Sequence, residues 1–222
     1  MTAIASAEQA GDVTIVRLTA GENRFNPASL EAIGAVLDEF EAADGPGALV
    51  ITGEGKFFSN GLDLDWMASA PPDDAADMLR GVQRLMARIL VFPAATVAAV
   101  NGHAFAAGGM LAVACDSRVM REDRGYFCLP EVDIGLVFSP GMTQLLKARL
   151  PAATAHQAMV TGRRYGGTEA VAAGIMDEAV PADRVLAAAV ERAAALAAKP
   201  RATVAAIKQA IYGDVVAALQ GS

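Results

Sequence analysis

The chain is poor in the residues that do reactive side-chain chemistry: two cysteines, two histidines and one tryptophan in 222 residues, with aromatics at 5%. Cys115 and Cys128 form no CxxC pair and sit in apolar runs, where a free thiol behaves as a small buried hydrophobe, so a disulfide framework is excluded. His103 and His156 lie far apart with no ligand spacing around them, which argues against a metal site or a His-centred triad; both read as structural. Ser139, in Phe138-Ser139-Pro140-Gly141, lacks the G-x-S-x-G elbow of a hydrolase nucleophile. No Gly-Lys-Ser/Thr follows a glycine run, so a nucleotide P-loop is absent. There is no basic excess: 18 Lys and Arg against 25 Asp and Glu leave a net charge of −7, which disfavours nucleic acid as a partner. The first eleven residues lack the basic and apolar regions of a secretory signal, and no uninterrupted apolar run reaches membrane-spanning length; a reducing cytoplasm is the expected location, with no membrane partner.

What the chain has in quantity is aliphatic material, 54% hydrophobic residues, enough for one sizeable core. Val13 to Leu18 predicts a strand; Pro27 to about Ala42 predicts a helix capped by Asn26. Ala48 to Thr52 and Thr96 to Val100 read as buried strands, separated by a helix from Asp73 or Asp74 to about Val91. A glycine-rich turn, Ala106 to Gly109, leads into an apolar segment ending at Cys115, followed by strands at Ser117 to Arg121 and around Tyr126 to Leu129. The second half is mostly helical, over Gly141 to Leu150, Ala152 to Thr161, Thr168 to Ala173 and Asp183 to Ala198, with a last strand at Met176 to Val180. Strands interleaved with helices place the chain in the α/β class.

Two loops share one design, a buried strand ending in a turn that frees backbone N–H groups at a helix start. The first runs from Gly53 through Lys56 to Phe58-Ser59-Asn60-Gly61-Leu62-Asp63, the second from Asn101-Gly102-His103 to Ala106-Ala107-Gly108-Gly109. Either alone is compatible with an ordinary turn. Glu131, in Pro130-Glu131-Val132-Asp133-Ile134-Gly135, is a candidate base among Phe127, Leu129, Ile134, Leu136 and Phe138, surroundings that raise a carboxyl's pKa. A solvated surface carboxylate is the plain alternative. If this stretch were a strand, Asp133 would share Glu131's face, so alternation does not separate the two.

Together with Asn23-Arg24-Phe25-Asn26-Pro27 and Cys115-Asp116, these motifs, in this order and spacing, resemble the crotonase (enoyl-CoA hydratase/isomerase) superfamily over nearly the whole chain. The resemblance implies a crotonase-like ββα spiral over residues 1–195 with a short helical segment at 196–222, and a homotrimer or dimer of trimers. It also implies an acyl-CoA thioester as substrate, CoA being part of that substrate and no separate cofactor being needed. By the same resemblance the Leu62 and Ala107 amides hold the thioester oxygen. Hydratases of the family use two glutamates; here Met110 stands at the first position and Glu131 at the second. One glutamate suffices to move a proton from C2 to C4, the pattern of Δ3,Δ2-enoyl-CoA isomerases, whose short plant-peroxisomal branch the 120–136 stretch resembles. Substrate contacts are expected from Arg24, Phe25, Lys56, Ser59, Gly61, Asp63 and Gly108, with Arg24 or Lys56 near phosphate. Trp66, Met67, Met86, Met110, Leu129 and Phe138 are candidates for the acyl pocket, core packing being the alternative for each. Hydration, another thioester reaction, or acyl-CoA binding without turnover are the competing functions.

Overall fold

The computed structural model describes residues 4–221, so the outermost ends of the expected 1–195 core and 196–222 segment lie outside the described residues. Strands β1 (Ala5–Ala10), β2 (Val13–Leu18), β3 (Ala48–Gly53), β5 (Ala95–Val100), β7 (Ser117–Arg121) and β9 (Glu178–Val180) form one sheet in the order β1-β2-β3-β5-β7-β9. Only β1 runs antiparallel to its neighbour. Strands β4 (Phe57–Ser59), β6 (His103–Phe105) and β8 (Phe127–Cys128) form a second, parallel sheet of three. Each of β3, β5 and β7 therefore hands the chain to a short strand of the second sheet before the next helical segment, three turns of a ββα spiral.

Buried parallel strands must be apolar on both faces, and alternation sorts their residues into two cores. Val13, Ile15, Ala48, Val50, Val97 and Ala99 meet the Ala-rich α8 (Val185–Ala194). Val16, Leu18, Leu49, Ile51, Ala98 and Val100 face the larger core, to which α1 (Pro27–Ala42), α3 (Pro72–Leu90), α4 (Ala107–Ala114), α5 (Pro140–Arg149) and α9 (Arg201–Gln220) contribute buried apolar residues. The remaining helices are α2 (Leu64–Ser69), α6 (Ala152–Thr161) and α7 (Gly167–Ala172).

Two asparagines bind the turns of the spiral together. Asn23, at φ 53°, donates from Nδ2 to Phe57 O at 2.9 Å and Phe58 O at 3.2 Å, while its Oδ1 accepts from Ala20 N–H. Asn101 Oδ1 accepts from Gly53 N–H at 3.0 Å, tying the exit of β5 to that of β3. Short polar side chains that satisfy nearby backbone groups favour such turns.

Several expectations change. The segment after the glycine-rich turn is the helix α4, buried along its whole length. Residues Pro130–Ile134 form a 3-10 turn, not a strand; Glu131 is buried and Asp133 exposed, so the two do not share a face. The expected helix from Asp183 to Ala198 divides into a 3-10 turn at Ala182–Arg184 and α8, and the last strand is shorter than expected. The C-terminal helix α9 is long, and by length and composition apolar enough to cross a membrane. Here it lies along α3 and α5, with Val215, Val216 and Leu219 buried.

Lys208 fastens α9 to the large sheet. Its Nζ donates to Ala94 O at 2.7 Å and meets Asp116 Oδ2 at 2.6 Å, and the same oxygen accepts from Thr96 N–H at 2.8 Å. A buried ion pair is costly to break from one side, because the surviving charge stays desolvated. Lys208→Met is expected to destabilise the fold by ~2 kcal/mol in urea unfolding, after discounting for the partial exposure of Asp116. Exposed Lys199→Met, the control, is expected to cost almost nothing; equal losses would show that the tether contributes no stability.

Candidate active site

One cavity of about 500 Å³ opens between the ends of the second sheet and helices α3 and α5, a size typical of small-ligand sites. Its wall includes Leu62, Ala107, Met110, Glu131 and Phe138, which the sequence singled out, Ser139, which it set aside as a nucleophile, and also Phe105, Leu79, Gln83, Val137 and Met142, which it did not single out.

Leu62 is positioned through its backbone. Phe25 N–H donates to Gly61 O at 2.8 Å, and Phe25 O accepts from Asp63 N–H at 2.9 Å, a single parallel bridge opposite Leu62. With both neighbours committed to Phe25, alternation turns the Leu62 N–H to the other side, where the second loop lies. Gly61, at φ +83°, makes this approach possible: a Cβ there would lie 2.9 Å from Ala106 Cβ and 3.2 Å from Ala107 N.

The second loop carries the matching donor. Ala106 takes φ 49° and ψ −125°, a conformation that costs an alanine roughly 1–3 kcal/mol. It is held there by Ala106 N–H donating to Cys128 O at 2.9 Å and by its carbonyl accepting from Met110 N–H at 3.0 Å. Ala107 opens α4, so its N–H belongs to the helix's first turn and has no intrahelical acceptor. Among the described residues neither Leu62 N–H nor Ala107 N–H has an acceptor. Gly108 brings the loops into contact, since a Cβ on it would lie 2.3 Å from Ser59 O.

Glu131 is 7% exposed, and its Oε2 is sealed from solvent without a hydrogen-bond partner. Burial disfavours the charged form and pushes its pKa up to about 7, opposed only by a local backbone hydrogen bond. It is the buried carboxylate of the cavity wall. Asp65, at the mouth, is exposed and paired with Arg24 at 2.7 Å.

The other sequence-predicted residues have scaffold positions. Phe25, Leu129 and Ser59 are almost fully buried away from the cavity; the Ser59 hydroxyl donates to Asn23 O at 2.7 Å and accepts from Gly61 N–H. Direct substrate contact by these three side chains is therefore corrected to support of the loop. Asp63 caps α2 and accepts from Asn26 Nδ2 at 3.0 Å. Trp66 and Met67 pack against the large core, and only Met67 reaches the cavity wall; Met86 is core. Arg24 lines the cavity, but Glu22, Asp63 and Asp65 surround its guanidinium. Lys56 is exposed, lies 5.3 Å from the Phe57 ring centroid and has no ion pair among the described residues. His103 is surrounded by the rings of Phe57, Phe105 and Tyr126; burial first, then Lys56, Arg164 and Arg124, hold its pKa below the ordinary value. His156 is exposed. Ser139 caps α5. No cluster of potential metal ligands occurs among the described residues.

Similarity to known proteins gives the family and the fold. Residues 8–221 match the family described as enoyl-CoA hydratase/isomerase. The chain is 37% identical to enoyl-CoA delta isomerase 2, peroxisomal, of Arabidopsis thaliana over 78% of its own length and 75% of the relative's. It is 38% identical to a putative enoyl-CoA hydratase of Thermus thermophilus over 84% and 74% of the two chains. An apo structure of a Mycobacterium tuberculosis enoyl-CoA isomerase superposes with a TM-score of 0.92 at 32% identity, covering 100% of this chain and 96% of that one.

The buried Glu131 carries a stability cost whose sign is fixed. Its folded pKa of about 7 lies above that of the unfolded chain, so its contribution is most favourable below about pH 4.3 and is lost as pH rises to about 7. Replacing it by the uncharged isostere, Glu131→Gln, is expected to stabilise the protein relative to wild type by on the order of 3 kcal/mol above pH 7, with the advantage shrinking towards pH 4. Urea unfolding across that range checks it; a difference that does not vary with pH would mean that the carboxylate is not desolvated.

Proposed function

The chain belongs to the enoyl-CoA hydratase/isomerase family, and we propose that within this family the protein is a Δ3,Δ2-enoyl-CoA isomerase with Glu131 as its single acid–base group. The observation that carries this is the pairing of a buried, unpartnered Glu131 with an apolar Met110, 1% exposed, on the same cavity wall. A thioether cannot transfer a proton, and the other carboxylate among the described wall residues, Asp65, is exposed and paired with Arg24, so Glu131 is the buried acid–base group of the wall.

The thioester carbonyl oxygen is placed between the Leu62 and Ala107 N–H groups, whose lack of other acceptors supports the assignment. Glu131 takes the proton from C2; the C–H electrons become the C1–C2 double bond as the carbonyl pair moves onto oxygen, giving a dienolate that keeps its C3–C4 double bond and carries its charge on that oxygen. Backbone donors fixed in advance stabilise that charge by roughly 3–4 kcal/mol each. Glu131 then returns its proton at C4, and the double bond has moved from C3–C4 to C2–C3. A pKa of about 7 suits both halves, since the group must accept and release the proton near neutrality. Nothing beyond the CoA of the substrate is needed. With Arg24 compensated by three carboxylates, Lys56 is the better candidate for a CoA phosphate. A homotrimer or dimer of trimers is part of the proposal; exposed Ile207 and Ile211 on α9 support it. Hydration remains the second reading, favoured by the likeness to the Thermus thermophilus putative hydratase.

Incubation with 3-enoyl-CoA and with 2-enoyl-CoA, followed by mass and ultraviolet absorbance, separates the two: the 3-enoyl thioester is expected to isomerise far faster than the 2-enoyl thioester hydrates, and comparable rates would sink the one-base mechanism. Glu131→Gln is expected to lower isomerisation by ~10²–10⁴-fold while acyl-CoA binding survives. Asp133→Asn is the control, with little change.

The loop generates a separate expectation. Gly61→Val places side-chain atoms against Ala106 and Ala107 N and is expected to lower turnover by orders of magnitude. Leu62→Ala, which keeps the amide, is expected to be mild. Equal damage would show that the Leu62 side chain matters more than its N–H.

A further inference from the structure

The cavity wall formed by α3 and the start of α5 holds one polar device that the proton transfer does not use. Ser139 Oγ accepts from Met142 N–H at 3.2 Å, closing the cap of α5. Its own hydrogen is directed to Gln83 Oε1 at 2.6 Å. This contact orients the Gln83 amide: the oxygen is committed to Ser139, and Nε2 is left with two hydrogens that find no acceptor among the described residues. Gln83 is 4% exposed and comes from the middle of α3, flanked by the buried Val82, Leu85 and Met86. The contact with Ser139 ties α3 to α5 through Oε1 alone, while Nε2 is not one of the sealed, unpartnered polar atoms and stays reachable from the cavity that Gln83 lines. Around it the wall is apolar: Leu79, Phe138, Val137 and Met142.

We propose that Gln83, oriented by Ser139, is a specificity-determining residue that binds an oxygen substituent, hydroxyl or oxo, on the acyl chain. The acceptor is an uncharged oxygen, because Arg24, the only cation among the described wall residues, is already surrounded by Glu22, Asp63 and Asp65. In the free protein, water can satisfy Nε2; the cavity has room for it. An all-hydrocarbon chain expels that water and leaves the donor unpaired, whereas an oxygen at the matching carbon replaces it. Discrimination thus comes mainly from the penalty on the wrong chain. This rests on the cavity being the acyl site of the proposed function, but not on the identity of the base.

The test is binding, so that it does not depend on turnover. Saturated acyl-CoAs of one length, plain or with a hydroxyl or oxo group moved along the chain, are titrated calorimetrically into wild type, Gln83→Leu and Gln83→Met. Wild type is expected to bind the chain oxygenated at one position about tenfold or more tightly than the plain chain, and both variants to lose that preference. Ser139→Ala, which frees the amide to rotate, is expected to reduce the preference while Gln83 is still present. If wild type shows no preference at any position, or if the variants keep it, the proposal is overturned; the wild-type series alone decides should the variants not fold. A terminal carboxylate bound more tightly than hydroxyl or oxo would also overturn it, by showing a charged acceptor. Failure of every acyl-CoA to bind would overturn the proposed function with it. Normal oxygen preference without isomerisation would remove only the isomerase assignment.

Discussion

A carboxylate kept out of water is the constraint on which the rest depends. Glu131 has one oxygen sealed and unpartnered, and burial alone lifts its pKa to about 7. Such a group is unfavourable for folding at neutral pH, and a chain free to relax would rotate it into solvent. It cannot, because Pro130 begins a 3-10 turn that directs Glu131 inward while Val132 and Asp133 face out and the exposed Ile134 borders the cavity. That turn is anchored at its far end by Gly135, at φ 69°, whose N–H donates back to Glu131 O.

The second element of strain lies across the cavity. Ala106 holds a conformation rare for an alanine, and the donors it positions are backbone amides without acceptors. Backbone donors cannot swing to a new partner as a side chain can, so they are ready for charge that develops on a ligand oxygen. Their direction is set by Phe25, Ser59, Asn23 and Cys128, none of which needs to reach the cavity. The free amides thus belong to residues whose side chains are small or apolar, and the supporting contacts are spread over three turns of the spiral.

This division explains what could be read from the chain alone. Val13–Leu18, Pro27–Ala42 with its Asn26 cap, Ser117–Arg121 and Ala152–Thr161 were legible because local signals and tertiary packing agree there. Strand β1 was not: Ala5–Ala10 is polar and earns its place only by pairing with the open edge of β2. Helix α9 carried no clear stripe, because Ile207 and Ile211 lie on its exposed side while Lys208 is the residue turned inward. Period-two alternation could not separate Asp133 from Glu131; the 3-10 turn that Pro130 starts does, burying Glu131 and exposing Asp133. In the site, Leu62, Ala107 and Glu131 stood out through loop motifs. Gln83 and Met142 did not, and Ser139 was weighed only as a nucleophile, because α3 and α5 meet only through tertiary packing, and no short-range spacing encodes that meeting.

The two walls of the cavity are therefore under different demands. One is made by strand exits whose turns must nearly touch: a Cβ on Gly108 would collide with Ser59 O, and one on Gly61 would crowd Ala107 N. Little can change there without moving the amides. The other is made by helices meeting through side chains, Leu79 and Gln83 from α3, Ser139 and Met142 from α5, where a substitution alters the lining without shifting the backbone. Helix faces tolerate such exchange when volume is kept. Under the proposed function, a fold divided in this way keeps one proton-transfer geometry while the acyl lining varies, and the Ser139–Gln83 hydrogen bond lies on the wall that is free to vary.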